Sequence, residues 1–138
     1  MRNKEIAQSD YGPIKILLAE DHPHVRKLLC QLIETYVDLS VVGEAVNGEE
    51  AVLLAATLKP DLVVMDVHLP VLNGTAATTL IRTCNPLTAV IGLTAGVPYE
   101  DAKAMMSAGA AIVINKSDVL HALYPAIVDA VKRVKNPV

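Results

Sequence analysis

Four apolar runs in this chain finish on side chains that can do chemistry. Asp66 ends the run Leu62, Val63, Val64, Met65, while Glu20 and Asp21 follow Ile14 to Ala19, Thr94 follows Ala89 to Leu93, and Lys116 follows Ala111 to Asn115. Short Val/Ile/Leu-rich runs of this kind read as buried strands. If the strands lie parallel in one sheet, their carboxyl ends share an edge, and open α/β sheets place ligand crevices outside that edge. Three carboxylates, a hydroxyl and an ammonium then meet in one pocket. Such a pocket suits a hard cation and a phosphoryl group.

Each of these residues also has a plainer reading. Asp commonly ends a strand and opens a turn, but Asp66 sits in LVVMDVHLPVLNG, where Pro70 and Gly74 shape a stiff loop behind it. A carboxylate so placed can act as a nucleophile, as in aspartyl phosphates. Glu20 and Asp21 can be first-turn acids that complement the dipole of a helix opening at Pro23. Three acids drawn together nevertheless repel unless a cation sits among them, and Mg²⁺ takes carboxylate, water and phosphate oxygens. Asp21 and Asp66 are the expected direct ligands, with Glu20 acting through water and the backbone carbonyl of His68 completing the set. Lys116 is either an ordinary exposed lysine or a point charge that pairs with Asp66 at rest and with phosphoryl oxygens after transfer. Thr94 is either a satisfied strand terminus or a hydroxyl donor to a new phosphoryl oxygen.

The elements that must position these groups are legible from periodicity. Strand candidates at Ile14 to Ala19, Leu39 to Ala45, Leu62 to Asp66, Ala89 to Thr94 and Ala111 to Asn115 alternate with helical stretches, the form of repeated βαβ units. Val25, Leu28, Leu29, Leu32, Ile33 and Tyr36 make one apolar stripe, so the first helix begins directly after the acidic pair. Asn47 and Gly48 open a second helix that Lys59 and Pro60 end. A third, Thr-rich one spans about Thr75 to Cys84, a fourth opens near Pro98 and closes at Gly109, and the last runs from about Asp118 to Val134. Right-handed crossovers put helices on both faces. The expected fold is therefore α/β: a doubly wound, five-stranded parallel sheet of flavodoxin-like order 2-1-3-4-5.

Composition agrees with that fold. The chain has 138 residues, 52% of them hydrophobic but only 3% aromatic, with no Phe or Trp, so Val, Ile, Leu and Ala must fill the core. One domain is expected over 13–135, after a loose leader at 1–12 and before a tail or linker start at 136–138; a local ordering role for Tyr11 stays open. The net charge of −3 provides no field for gathering nucleic acid. The polar start has no apolar signal region and no run is long enough to span a bilayer, which points to a cytoplasmic protein. Cys30 and Cys84 lack CxxC spacing and read as buried small hydrophobes in a reducing compartment. His22 and His24 read as caps or surface residues, His68 as a solvated loop residue, His121 as part of a polar helical stretch, and Met105 and Met106 as core.

The stretches ILLAEDHPHVRKLL, VVGEAVNGEEAV, PDLVVMDVHLPVLNG, AVIGLTA and SAGAAIVINK together resemble the receiver domain of a two-component response regulator. The resemblance covers about Ile14 to Val134. It implies Asp66 as phosphoacceptor, Glu20 and Asp21 as the acidic Mg²⁺ pair, Thr94 as the switch hydroxyl and Lys116 as the phosphate-contacting lysine. A sensor histidine kinase would be the phosphodonor. The EDH start and the Ser117 that follows the lysine look most like nitrate-response and LuxR-type receivers, which are typically fused to a C-terminal DNA-binding output domain absent from this chain. An excised receiver is expected, with a homodimer through the last helices as a further expectation. Two positions depart from the family pattern. Val113 stands where an aromatic switch residue is usual and Ile112 where Gly is common, so transmission to the face of the fourth helix, fifth strand and fifth helix is in question; Tyr99 is a candidate substitute.

Other classes fit less well. A flavodoxin-like electron carrier needs a phosphate-cradling turn after the first strand, where this chain has Glu20 and Asp21. A phosphatase with an aspartate nucleophile would carry a DxD motif there. A phosphorylation-independent interaction module is the alternative that Val113 favours.

Overall fold

The structure, a computed structural model, describes residues 12–96 and 99–136. Five parallel strands, β1 (Ile14–Ala19), β2 (Leu39–Ala45), β3 (Leu62–Asp66), β4 (Ala89–Thr94) and β5 (Ile112–Asn115), form one sheet in the order β2-β1-β3-β4-β5. The intervening helices are α1 (Pro23–Glu34), α2 (Gly48–Leu58), α3 (Gly74–Cys84) and α4 (Tyr99–Ala108), and α5 (Val119–Lys135) closes the fold after a 3₁₀ turn at Lys116–Asp118. The doubly wound expectation holds. The fifth strand begins one residue later than expected, α3 one residue earlier, and Lys116 opens the 3₁₀ turn instead of ending the strand. The expected leader, apart from Gly12, lies outside the described residues, as do Tyr11, the Pro98 helix start and the last two residues of the tail.

Strand alternation divides the core in two. Ile16, Leu18, Leu62, Val64, Ile91, Leu93 and Ile114 face α1 and α5, where Leu29, Ile33, Leu123 and Ile127 meet them. Leu17, Val63, Met65 and Val90 face α2, α3 and α4, where the partners are mostly small: Ala51, Ala55 and Ala77. All five residues of β3 are buried. A central parallel strand covered on both faces has this continuous apolar reading. Cys84 is exposed and Cys30 only half-buried, against the expectation of core cysteines. Met105 is fully buried, but Met106 is 49% exposed because it lies one helical step, about 100°, away from Met105.

Local chemistry sets the helix starts. Asn47 accepts from the Glu50 N–H at 2.7 Å while Glu50 Oε1 accepts from the Val46 N–H at 2.8 Å, a reciprocal cap on α2. Asn73 caps α3 by accepting from the Ala76 N–H at 2.9 Å. Tyr36, just past the C-terminus of α1, stacks on Tyr124 in the second turn of α5, with centroids 4.1 Å apart. The Tyr124 hydroxyl donates to the buried Asp38 carboxylate at 2.6 Å. Burial first, then Asp38, push the Tyr124 phenol up to about 12. Tyr124→Phe leaves a buried carboxylate short of a donor and is expected to cost about 1–3 kcal/mol at neutral pH by urea melts. An unfolded tyrosine ionises near pH 10. The raised native value therefore means that parent stability drains between pH about 10 and about 12, and the gap between parent and variant narrows over that window.

Candidate functional site

Register brings the reactive residues to one edge. Ala19 pairs with Met65, so Glu20 stands level with Asp66; Asp66 pairs with Leu93 and Thr94 with Asn115, so Thr94 and Lys116 each lie one step further out. Glu20 is completely buried, Asp66 is 3% exposed and Thr94 5%. Lys116 Nζ lies 2.8 Å from Glu20 Oε1 and 3.3 Å from Asp66 Oδ2, joining the ends of β1, β3 and β5 through one charge. Glu20 Oε1 has that ion pair and no other partner among the described residues. Asp21 Oδ1 and the Thr94 hydroxyl are buried with no hydrogen-bond partner among the described residues.

These orphaned oxygens matter because buried polar atoms are nearly always paired. Ligand atoms of Glu20, Asp21, His22 and Asp66 all lie within 4.8 Å of one another. An octahedral site with oxygens at about 2.0–2.1 Å spans about 4.2 Å across, so the three carboxylates need shift only slightly to share one ion. The donor set fits a hard cation. His22 is the member that sequence reasoning did not place here. Its side chain makes no cap bond on α1, and its Nδ1 stands 3.0 Å from Glu20 Oε2 and 3.3 Å from Asp21 Oδ1. An imidazole is a poor ligand for so hard an ion, which leaves His22 as a partner of the acids.

Charges in the pocket are unequal. Burial raises the Glu20 carboxyl, but Lys116 and the His22 ring and backbone outweigh it, and the net value falls below the ordinary range. Burial and the Glu20 charge raise Asp66 over the opposing pull of Lys116. Burial disfavours the Lys116 ammonium, yet Glu20 and Asp66 together raise it. Glu20 is therefore the fixed anion at rest, while Asp66 is the destabilised one.

Backbone contacts hold the acceptor strand end. The His68 N–H donates to Asp66 Oδ1 at 3.1 Å, the Val67 N–H to Leu93 O at 2.9 Å, and the Gly74 N–H to Val67 O at 2.9 Å. A Cβ on Gly74 would overlap the Asp66 carbonyl oxygen, so only glycine lets α3 start this close. Val71 takes a left-handed φ of 70° while 74% exposed. That conformation is costly for a β-branched residue, and Val71→Gly is expected to raise unfolding stability by about 1 kcal/mol, read as a higher urea midpoint at constant slope.

Two residues missed in the sequence also position the site. Arg26, one turn into α1, donates from Nη1 to the Glu20 carbonyl at 3.0 Å and from Nε to Glu44 at 3.2 Å. Asn115 donates to the Gly96 carbonyl at 2.7 Å and accepts from the Ser117 N–H at 3.0 Å, tying the loop after β4 to the turn that carries Lys116. A basic residue one turn after an acidic pair was the available signal for Arg26; nothing in the sequence marked Asn115. His68 is exposed, as expected of a solvated loop residue, and its ring also reaches Asp101 of α4, with Nε2 and Oδ2 2.8 Å apart.

A doubly wound sheet with an acid-lined carboxyl edge and a bridging lysine defines a class, and the response regulator receiver domain profile matches residues 16–127. The chain belongs to the response regulator receiver domain family and is a phosphoacceptor domain of two-component signalling. It is 34% identical over 122 residues to the nitrate/nitrite response regulator protein NarL of Escherichia coli, covering 86% of this chain and 56% of that protein. It is 41% identical over 105 residues to a protein-glutamate methylesterase/protein-glutamine glutaminase of Myxococcus xanthus, covering 75% of this chain and 30% of that one. The chain thus spans about half or less of these relatives. Among solved structures, the response regulator domain of Thermotoga maritima CheB superposes with a TM-score of 0.79 at 30% identity, covering 87% of this chain and 97% of that one.

Proposed function

We propose that Asp66 is the phosphoacceptor of a domain spanning residues 13–135, and that its donor is the phosphohistidine of a sensor kinase. A carboxylate oxygen of Asp66 attacks phosphorus, the O–P bond forms as the P–N bond breaks, and the departing imidazole nitrogen keeps the bonding pair and takes a proton. Lys116 leaves its resting contact with Asp66 for the phosphoryl oxygens. The Thr94 hydroxyl, which has no partner among the described residues, donates to one of them. Asp21 and Asp66 directly, Glu20 through water and the His68 carbonyl would hold Mg²⁺, which supplies charge neutralisation for the acids and the incoming phosphoryl oxygens.

The observation that carries this reading is the meeting of three carboxylates within 4.8 Å beside an ammonium at 2.8–3.3 Å. The domain then works as a signalling phosphoacceptor that assists its own phosphorylation and dephosphorylation, and not as an enzyme on a separate substrate. A DNA-binding output partner is in keeping with the solved DNA-binding response regulator of the LuxR family from Staphylococcus aureus, which shares this fold. Among the described residues no helix is long and apolar enough to cross a membrane, in keeping with action in the cytoplasm. Intact-protein mass after treatment with acetyl phosphate and Mg²⁺ tests the reading: one phosphoryl increment is expected, abolished by EDTA. An unmodified mass under both conditions would refute it.

A further inference from the structure

His68 joins the acceptor carboxylate to α4. Its backbone N–H donates to Asp66 Oδ1 at 3.1 Å, and its ring nitrogen Nε2 lies 2.8 Å from Asp101 Oδ2 in the first turn of α4. The ring can donate from Nε2 whether neutral or protonated, so the contact does not depend on charge. Among the described residues of α4, Met105 is the buried anchor, while Tyr99 and Met106 are 70% and 49% exposed. A helix held by so little buried surface responds to a small added tether.

Val113 carries no ring that could reach toward this helix. Val113 is partly buried against the Met105 side of the core, and a Cβ added to Gly92 would come within 3.2 Å of Val113 Cγ2. A short β-branched side chain is stiff at χ1 and cannot sweep the distance that a ring can. We propose that the His68–Asp101 hydrogen bond is the link through which the state of Asp66 reaches α4, holding the first turn of the helix on the acceptor loop at rest and releasing it on phosphorylation. The inference rests on the reading of Asp66 as phosphoacceptor. Acyl phosphate formation moves negative charge from the carboxylate oxygens out to the phosphoryl group, so Asp66 Oδ1 becomes a weaker acceptor for the His68 N–H and the loop shifts. A ring anchored to that loop moves with it, and a hydrogen bond weakens steeply with lost alignment.

Hydrogen exchange of the α4 amides, measured with intact mass on the same samples, tests the link in the parent, Asp101→Ala and Asp101→Asn. Unmodified Asp101→Ala is expected to exchange α4 roughly fivefold faster than the parent, the scale of one part-exposed polar contact. Acetyl phosphate with Mg²⁺ should bring the parent to that faster rate and change Asp101→Ala little, with equal phosphoryl uptake in both. Asp101→Asn keeps an acceptor and should behave as the parent. Parent-like α4 exchange in unmodified Asp101→Ala, or a parent-sized response after its phosphorylation, would overturn the link while leaving the phosphoacceptor intact. Absence of uptake in the parent would instead overturn the reading of Asp66, and the link with it.

Discussion

Asp66→Asn is expected to lose all phosphoryl uptake from acetyl phosphate and yet to melt at a higher temperature than the parent in EDTA. The two effects share one cause. Burial and Glu20 hold the Asp66 carboxyl above its ordinary range, so at neutral pH its charge opposes folding. Like charges about 5 Å apart repel by several kcal/mol at an effective dielectric near 20, and Lys116 offsets most but not all of that here. The neutral amide removes the remainder, a gain on the order of 1 kcal/mol, or about 2–4 °C in Tm. A group whose native pKa is raised costs stability above that pKa and stops doing so as pH falls through it. The advantage of Asp66→Asn should therefore shrink as the solution is acidified, and saturating Mg²⁺ should reverse the order by stabilising the parent. Calorimetric scans with and without Mg²⁺ check both. A variant that melts below the parent in EDTA would contradict the account.

The second large effect is destabilisation. Lys116→Met removes the ammonium that contacts both Glu20, which is fully buried, and Asp66. Breaking a buried ion pair from one side leaves an uncompensated charge, and about 3 kcal/mol is expected to be lost in EDTA. Glu20 has the opposite sign to Asp66: Lys116 and His22 overcome its burial and lower its pKa, so its contribution is present above the unfolded value and is lost as pH falls through the native one. Without Lys116 the stabilising partner is gone, and the deficit should narrow as pH drops through the carboxylate range and the acids become neutral. Added Mg²⁺ should restore part of the loss while phosphoryl uptake stays slow. Urea unfolding across pH, with and without Mg²⁺, measures this; a deficit indifferent to Mg²⁺ would mean that the acids do not share an ion.

Much of this site was visible in the linear pattern, for a physical reason. A parallel strand buried on both faces is a continuous apolar run, and the first polar residue after it must lie at the sheet edge. That is why Asp66, Glu20 and Thr94 could be placed from the sequence, with Lys116 one step past the polar end of the fifth strand. The errors fell where a residue's position on its helix decides its surroundings: Cys84 and Met106 lie on outward faces. Arg26, Asn115 and the ring of His68 were missed because their partners, the Glu20 carbonyl, the Gly96 carbonyl and Asp101, are supplied by other segments of the fold.

By itself, then, the sequence determined the five βα repeats, the strand ends that carry chemistry and the kinds of groups that meet there, because burial and turn chemistry are written locally. Only the tertiary structure decided that Lys116 contacts two acids at once, that His22 faces the acidic pair, that the Thr94 hydroxyl has no partner among the described residues and that the His68 ring meets Asp101 of α4. Hydrogen bonds and ion pairs act over a few ångströms between segments as far as 96 residues apart in the chain, Lys116 and Glu20 among them. Strand register sets those distances, and register is a property of the assembled sheet.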